Sequence, residues 1–203
     1  LPAPNLENYE ETFRTFRLEV PEFYNFGLDT VDRWALDPNK LALLAVDDDG
    51  RAKALPFSEI KQQSDRFACA LLERGIRKGD RALLVMGRLP EWHVALLGML
   101  KAGVVAVPGT TLLTPKDIAY RVKTADCRVA VVDAAIVPRV DAVREHLPQL
   151  DTLIATGAPR APWLSFHAFV SSTRASAPLP RTRSSDAAIV FFSSGTTGEP
   201  KMV

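Results

Sequence analysis

Chemistry-bearing residues are densest in the run Phe191-Phe192-Ser193-Ser194-Gly195-Thr196-Thr197-Gly198-Glu199-Pro200-Lys201. Two apolar aromatics break into hydroxyl residues and glycines, and the run ends on a lysine. Phosphate recognition asks for these residue types in this order. Gly195 and Gly198 admit backbone angles closed to other residues and let main-chain N–H groups approach an anion. Ser193, Ser194, Thr196 and Thr197 add hydroxyl donors. Lys201 adds a mobile positive charge suited to a polyphosphate. A Ser/Thr/Gly cluster is more often an ordinary loop, but here an apolar strand precedes it and Pro200 stiffens the chain before the lysine. The run is not a Walker A loop, because G-x-x-x-x-G-K-[ST] is absent and Met202 follows the lysine. Nor is it a nucleophile elbow, since the chain has no G-x-S-x-G.

Such a loop needs a scaffold, and the hydrophobic pattern predicts one. An apolar strand over 187–192 is expected to anchor the loop in a sheet. Upstream, residues 7–20 set Tyr9, Phe13, Phe16 and Val20 at helical spacing, which predicts an amphipathic helix packed on the body. A second short helix is expected over 28–36, stopped by Asp37-Pro38. Residues 41–46 and 52–57 read as two strands joined at Asp47-Asp48-Asp49-Gly50. Those aspartates lack the spacing and distal glutamate of a calcium loop, so a solvated turn is the better reading. From there strand and helix alternate. Ser58 is expected to cap a helix closed by Gly75. A strand over 81–86 leads to a helix with Pro90 in its first turn and Gly103 behind it. A strand over 104–107 follows, then a helix opened by the capping box Thr114-Pro115-Lys116-Asp117. Strands over 128–132 and 153–155 flank a helix over 137–147, before an irregular stretch. Short, nearly all-apolar strands are those of a parallel sheet buried on both faces. Alternation with helices makes the fold class α/β, a doubly wound, mostly parallel sheet flanked by helices. Ligands on such sheets sit at the carboxyl ends of the strands, where the 193–201 loop is expected to emerge.

Composition bounds the remaining function classes. The chain has 203 residues, 47% of them hydrophobic and 24% charged, with a net charge of +1. That is an ordinary globular composition with room for a sizeable core. Near-neutrality gives no reason to expect nucleic acid or an anionic membrane as partner, and no apolar run is long enough for a membrane span. Arg174, Arg181 and Arg183 fall in a Ser/Pro/Arg-rich stretch without interleaved aromatics, which reads as a solvated connection. Cys69 and Cys127 lie far apart and read as buried, reduced thiols. His93, His146 and His167 are scattered, and none has a neighbour at zinc-ligand spacing, so no metal site is expected. The start Leu1-Pro2-Ala3-Pro4-Asn5 lacks a signal peptide and an initiator methionine. An intracellular setting is expected, cytoplasmic or, after removal of a transit peptide, mitochondrial.

Residues Ser193 to Lys201 resemble the AMP-binding signature of the adenylate-forming superfamily. Upstream the likeness narrows to the medium-chain acyl-CoA synthetases. It is carried by Asn25-Phe26-Gly27-Leu28-Asp29-Thr30-Val31-Asp32-Arg33-Trp34-Ala35, Leu89-Pro90-Glu91-Trp92, Leu100-Lys101-Ala102-Gly103, Val107-Pro108-Gly109-Thr110 and Asp117-Ile118-Ala119-Tyr120-Arg121, in that order. The resemblance implies an enzyme that activates a carboxylic acid with ATP and Mg2+ to acyl-AMP and pyrophosphate, then transfers the acyl group to coenzyme A. It assigns Ser193, Ser194, Gly195, Thr196, Thr197, Gly198 and Lys201 to the β- and γ-phosphates. It also implies that residues 1–203 are the amino-terminal part of an AMP-binding domain. That part comprises a helical lead-in (1–40), an alternating α/β region (41–170), an exposed connection (171–186) and the strand with its phosphate loop (187–203). The catalytic residues and the carboxyl-terminal domain are expected beyond Val203, so the chain alone is expected to be inactive and, with an open sheet edge, to self-associate. Two other readings stay open here: an adenylating ligase with a carrier-protein acceptor, and a non-catalytic binding or dimerisation module. An amidase is disfavoured, because that family's G-S-S-G-G is replaced by Phe192 before the serines and Thr196 after Gly195.

Overall fold

The computed structural model describes residues 8–174, 178–193 and 198–203. Helix α1 (Tyr9–Thr15) comes first, then a π-helical turn (Phe26–Val31) running into the short α2 (Asp32–Trp34). An antiparallel hairpin follows, β1 (Leu41–Val46) with β2 (Ala52–Pro56). The alternating region contains α3 (Phe57–Glu73), β3 (Arg81–Val85), α4 (Pro90–Lys101), β4 (Val105–Pro108), α5 (Pro115–Thr124), β5 (Cys127–Val132), α6 (Val137–Arg144) and β6 (Thr152–Ala155). It closes with β7 (Leu164–Ser165) and α7 (Phe166–Ser171).

Five of these strands form one parallel sheet in the order β4-β3-β5-β6-β7. Ala82 of β3 aligns with Ala106 of β4 on one side and Val129 of β5 on the other. Successive strand residues face opposite layers. Ala82, Leu84, Ala106, Val129 and Val131 join the core under α3, α4 and α7. Leu83, Val85, Val107, Ala130 and Val132 join a second core with Ile118 and Val122 of α5 and Val140 of α6. Both faces are therefore covered, which is why the strands read as unbroken apolar runs. Leu83 and Leu84 are both fully buried, and burying a side chain of that size stabilises by about 1.5–3 kcal/mol. The fold is the doubly wound α/β sheet that the pattern predicts. Helix α4 leaves β3 toward one face, while α5 leaves the adjacent β4 toward the other.

The helix ends follow from local sequence. After α3, Gly75 takes a φ of +81° and after α4, Gly103 takes +68°. Each closes a Schellman motif: Ile76 N–H donates to Leu71 C=O at 3.1 Å, and Val104 N–H donates to Met99 C=O at 2.9 Å. A glycine carries these left-handed angles without the penalty of a Cβ. Pro90 and Pro115 open α4 and α5 in the first turn, where no helical N–H is needed.

Several expectations are corrected. Helix α1 stops at Thr15 and buries nothing; Tyr9, Phe13, Phe16 and Val20 are all well exposed. A seven-residue helix lacks the length to bring that stripe onto the body. Ser58 caps nothing; α3 starts one residue earlier, and the Ser58 hydroxyl donates instead to Pro38 C=O at 3.2 Å. The stretch after β6 is not wholly irregular: it contains β7 and α7, whose Phe166 stacks on Phe67 at 5.4 Å. The connection 171–186 is not simply solvated. Thr173 is buried, and residues 182–184 pair antiparallel with residues 22–24. Arg181 and Arg183 both lie over the Phe23 ring, at 3.5 and 4.9 Å. Residues 187–192 are not one continuous strand. Ile189 bridges to Ala106 in parallel, while Phe192 belongs to a separate hairpin.

One buried charge fastens the lead-in to this body. Lys101, the last residue of α4, is completely buried, with Nζ 2.6 Å from Asp32 Oδ1 and 2.7 Å from Asp65 Oδ1. Lys61 reaches the same two carboxylates at 3.3 and 2.5 Å. Partial burial works against the charge on Lys61, but these carboxylates outweigh it and hold its pKa above the ordinary lysine value. Lys101→Met leaves two carboxylates sharing one ammonium. It should destabilise the protein by about 3 kcal/mol, the low end of the cost of breaking a buried ion pair, read as a fall in the denaturant midpoint at unchanged slope. Burial also pushes the Cys127 thiol up to about 12 from 9.0. An unfolded chain ionises this thiol from about pH 8.5 upward while the folded one does not, so stability should fall as pH rises above that value. Cys127→Ala should flatten the decline between about pH 9 and 11 in parallel unfolding series; an equally steep decline in the variant would rule out this source.

Candidate phosphate-binding site

Residues 191–193 and 201–203, on either side of the signature run, pair as a hairpin beside the edge strand of the sheet. Ala106 N–H donates to Ala188 C=O at 3.0 Å, and Val190 N–H donates to Ala106 C=O at 2.8 Å. Residues 188–190 thus run parallel to β4 and in its direction. Within two more residues the chain passes the level of Pro108, the end of β4, so the loop emerges at the carboxyl ends of the strands, where ligands of this architecture sit. Beyond that point β8 (Phe192–Ser193) pairs antiparallel with β9 (Lys201–Met202), Phe192 opposite Met202 and Ser193 opposite Lys201. Phe191 and Val203 exchange two further backbone bonds, each 2.8 Å.

The sequence-predicted residues divide as follows. Ser193 and Lys201 face each other across the hairpin, and the Ser193 hydroxyl donates to Lys201 C=O at 3.5 Å. Both residues are exposed, and Lys201 has no ion-pair partner among the described residues. Gly198 takes a φ of +98°, with open space where a Cβ would stand. Ser194, Gly195, Thr196 and Thr197 lie outside the described residues. The returning strand β9 is not legible in the sequence, since two residues show no alternation.

Helix α5 supports the hairpin from the side. Its start is fixed by the predicted capping box. Asp117 Oδ2 accepts from Thr114 N–H at 2.9 Å and from the Thr114 hydroxyl at 2.6 Å, while Asp117 N–H donates to Thr114 Oγ1 at 3.3 Å. The Thr114 hydroxyl and then its backbone N–H hold the Asp117 carboxyl below the ordinary carboxylate value. Buried Ile118 and Val122 seat the helix on the sheet. Its outer side presents Tyr120, whose ring meets Phe192 edge-on at 6.0 Å and whose hydroxyl donates to Pro200 C=O at 2.8 Å. The Arg121 guanidinium lies 5.2 Å from the Phe192 ring centre, and Lys116 Nζ is 3.9 Å from Glu199 Oε1. Sequence reasoning assigned no site role to these residues. The Tyr120 to Pro200 contact spans 80 positions and leaves no local signal.

A cleft of about 710 Å3 also opens past the ends of β3 and β4, lined by Leu43–Val46 of β1, by Met86–Pro90, Trp92 and His93 and by Thr110 and Thr111. Burial lowers the pKa of His93, keeping it neutral at pH 7. Asp133, just after β5, closes the neighbouring crevice by accepting from Gly87 N–H at 2.8 Å and Ala135 N–H at 3.1 Å. Among the described residues, no three His, Cys, Asp or Glu side chains are grouped to hold a metal ion.

The family model for AMP-binding enzymes matches residues 31–203. The mitochondrial acyl-coenzyme A synthetase ACSM5 of Mus musculus is 35% identical over 211 aligned residues, covering 100% of this chain and 36% of that protein. The mitochondrial acyl-coenzyme A synthetase ACSM3 of Homo sapiens is 32% identical over 206, covering 98% and 35%. The chain therefore spans about 36% of the length of the curated relatives it matches. Among solved structures, the anthranilate CoA ligase AuaEII in complex with anthranoyl-AMP superposes with a TM-score of 0.80 at 26% identity, over 91% of this chain and 35% of that one. The acyl-CoA synthetase of Brucella canis shares the fold, with a TM-score of 0.83 at 22% identity over 96% and 37%. With Ser193 and Lys201 paired across a hairpin beside the edge of a parallel sheet, and the family model matching residues 31–203, the chain belongs to the AMP-binding enzyme family.

Proposed function

We propose that this chain supplies the amino-terminal part of an acyl-CoA synthetase, an acid–thiol ligase that forms acyl-AMP and pyrophosphate from a carboxylic acid and ATP and passes the acyl group to coenzyme A. The observation that carries the reading is the 191–203 hairpin, which leaves the carboxyl edge of the sheet with Ser193 and the exposed Lys201 at its neck. The relatives, mitochondrial acyl-coenzyme A synthetases, support the acid–thiol chemistry and an intracellular, mitochondrial setting. No helix among the described residues is long and apolar enough to cross a membrane.

In this reading Ser193, Ser194, Gly195, Thr196, Thr197, Gly198 and Lys201 hold the β- and γ-phosphates of ATP. The carboxylate oxygen of the acid attacks the α-phosphorus, and pyrophosphate leaves with its charge held by the loop. Donors and cations placed where negative charge accumulates are the means by which a site lowers such a barrier. Mg2+ belongs to the nucleotide here. It keeps most of its own water and needs few protein ligands. The loop positions; it supplies neither nucleophile nor base. Groups that act as a unit are not replaced by those that remain. By the family resemblance, the metal-site acid, the ribose aspartate and the catalytic lysine are not among these 203 residues.

The 203-residue chain by itself should accordingly show no acid-dependent ATP–pyrophosphate exchange with straight-chain or aromatic acids; exchange above a no-protein control would contradict this. In the full-length protein, Lys201→Ala should slow adenylation about tenfold to somewhat over a hundredfold, the kinetic equivalent of losing a charge-assisted contact of roughly 1.5–3 kcal/mol. Thioester formation from supplied acyl-AMP should be nearly unchanged, because pyrophosphate has already gone. Lys201→Arg should recover only part, since a planar fork replaces a compact charge. Equal damage to both half-reactions would assign Lys201 a structural role instead.

A further inference from the structure

Two-residue strands do not hold a hairpin in water unaided, and β8 and β9 are each two residues long. Their orientation must come from outside the hairpin. The contacts that supply it converge on Lys201. The carbonyl before it, Pro200 C=O, accepts the Tyr120 hydroxyl at 2.8 Å. The carbonyl after it, Lys201 C=O, accepts the Ser193 hydroxyl at 3.5 Å. A peptide group is planar, so fixing Pro200 C=O also fixes the Lys201 N–H and the plane on the amino side of its Cα. Both planes that meet at the Lys201 Cα are thus tied by hydroxyls, the shorter and stronger tie coming from a different element. The same Tyr120 ring rests edge-on against Phe192 in the opposite arm, so one side chain touches both arms of the hairpin. Its helix is rigidly mounted through fully buried Ile118 and Val122.

The geometry points to Tyr120 as a positioning residue for the phosphate-binding lysine. Resting on the phosphate-loop reading given above, it assigns the Tyr120 hydroxyl the task of aiming the Lys201 side chain at the departing pyrophosphate. The ring helps anchor the hairpin, as Arg121 does; the hydroxyl sets the direction in which Lys201 starts. Positioning of this kind changes rates because small displacements of a charge from the developing oxyanion weaken its effect steeply.

The test uses the full-length protein with Tyr120→Phe, which keeps the ring against Phe192 and removes only the hydroxyl. Expected is a roughly three- to tenfold fall in acid-dependent ATP–pyrophosphate exchange, about the kinetic equivalent of one neutral hydrogen bond. An unchanged melting temperature and unchanged thioester formation from supplied acyl-AMP should accompany it. The decisive arm is the double variant. Residues that act through one another are not additive, so adding Tyr120→Phe to Lys201→Ala should cost nothing further. If Tyr120→Phe costs the same with Lys201 present as it does on top of Lys201→Ala, the proposal is overturned. A Tyr120→Phe protein with full exchange activity, while Lys201→Ala is slow, overturns it too. That last pattern leaves the phosphate-loop reading intact. Lys201→Ala without effect on exchange overturns both together.

Discussion

A cation with no access to water holds the first part of this molecule to the rest. Removing an ammonium from water costs several kcal/mol unless it is paired and hydrogen-bonded, and Lys101 is paired with two carboxylates, Asp32 and Asp65, each within hydrogen-bond distance. Its position at the carboxyl end of α4 adds the favourable end of the helix dipole. The residue before it contributes its carbonyl: Leu100 C=O accepts from Asn25 Nδ2 at 2.7 Å. The same amide group donates to Thr182 Oγ1 at 3.2 Å. Gly27 fits beneath the lysine stem, where a Cβ would come within 2.7 Å of Lys101 Cγ. The lead-in, α3, α4 and the returning connection therefore meet around one charge. A few residues beyond Thr182 the chain reaches Asp186, which Lys78 holds at 2.6 Å, and then it runs along β4 into the hairpin. The placement of the hairpin that carries Ser193 and Lys201 is thus linked, step by step, to a lysine in another layer.

Most of the fold was legible because its causes are local. Strands buried on both faces announce themselves as apolar runs, and β1, β3, β5 and β6 fall within about a residue of the expected bounds. The capping box at Thr114 and Asp117 formed as its residue types require. Illegible features depend on partners distant in sequence. The exposed face of α1 has the same spacing as a buried one, and spacing alone does not say whether anything lies opposite. Lys101 carried no sign of burial, because lysine is almost never fully buried and its two carboxylates are 69 and 36 positions away. Arg181 and Arg183 had the composition of a solvated loop, yet both stack on Phe23 from the far end of the chain.

The candidate site divides along the same line. Its residue types were readable from a single short run, since glycine and hydroxyl chemistry is intrinsic to those residues. Its mounting was not. Tyr120 and Arg121 stood in the upstream likeness to the acyl-CoA synthetases only as neighbours of Asp117. Their reach to Pro200 and Phe192 depends on how α5 sits against β4 and the hairpin, which the packing of Ile118 and Val122 decides.

This division of labour suits the proposed role of the hairpin, binding a highly charged ligand and then releasing it. Main-chain donors and an exposed lysine cannot be buried in the core, because an unfilled phosphate site there would leave them without partners. Placing Lys201 on a hairpin beyond the sheet keeps its ammonium in contact with water. The cost is that a short hairpin has little rigidity of its own. Helix α5 supplies that rigidity from outside, through one aromatic ring, one hydroxyl and one guanidinium aimed at both arms. The apolar core beneath the helix, rather than the loop, then sets how accurately Lys201 can be held.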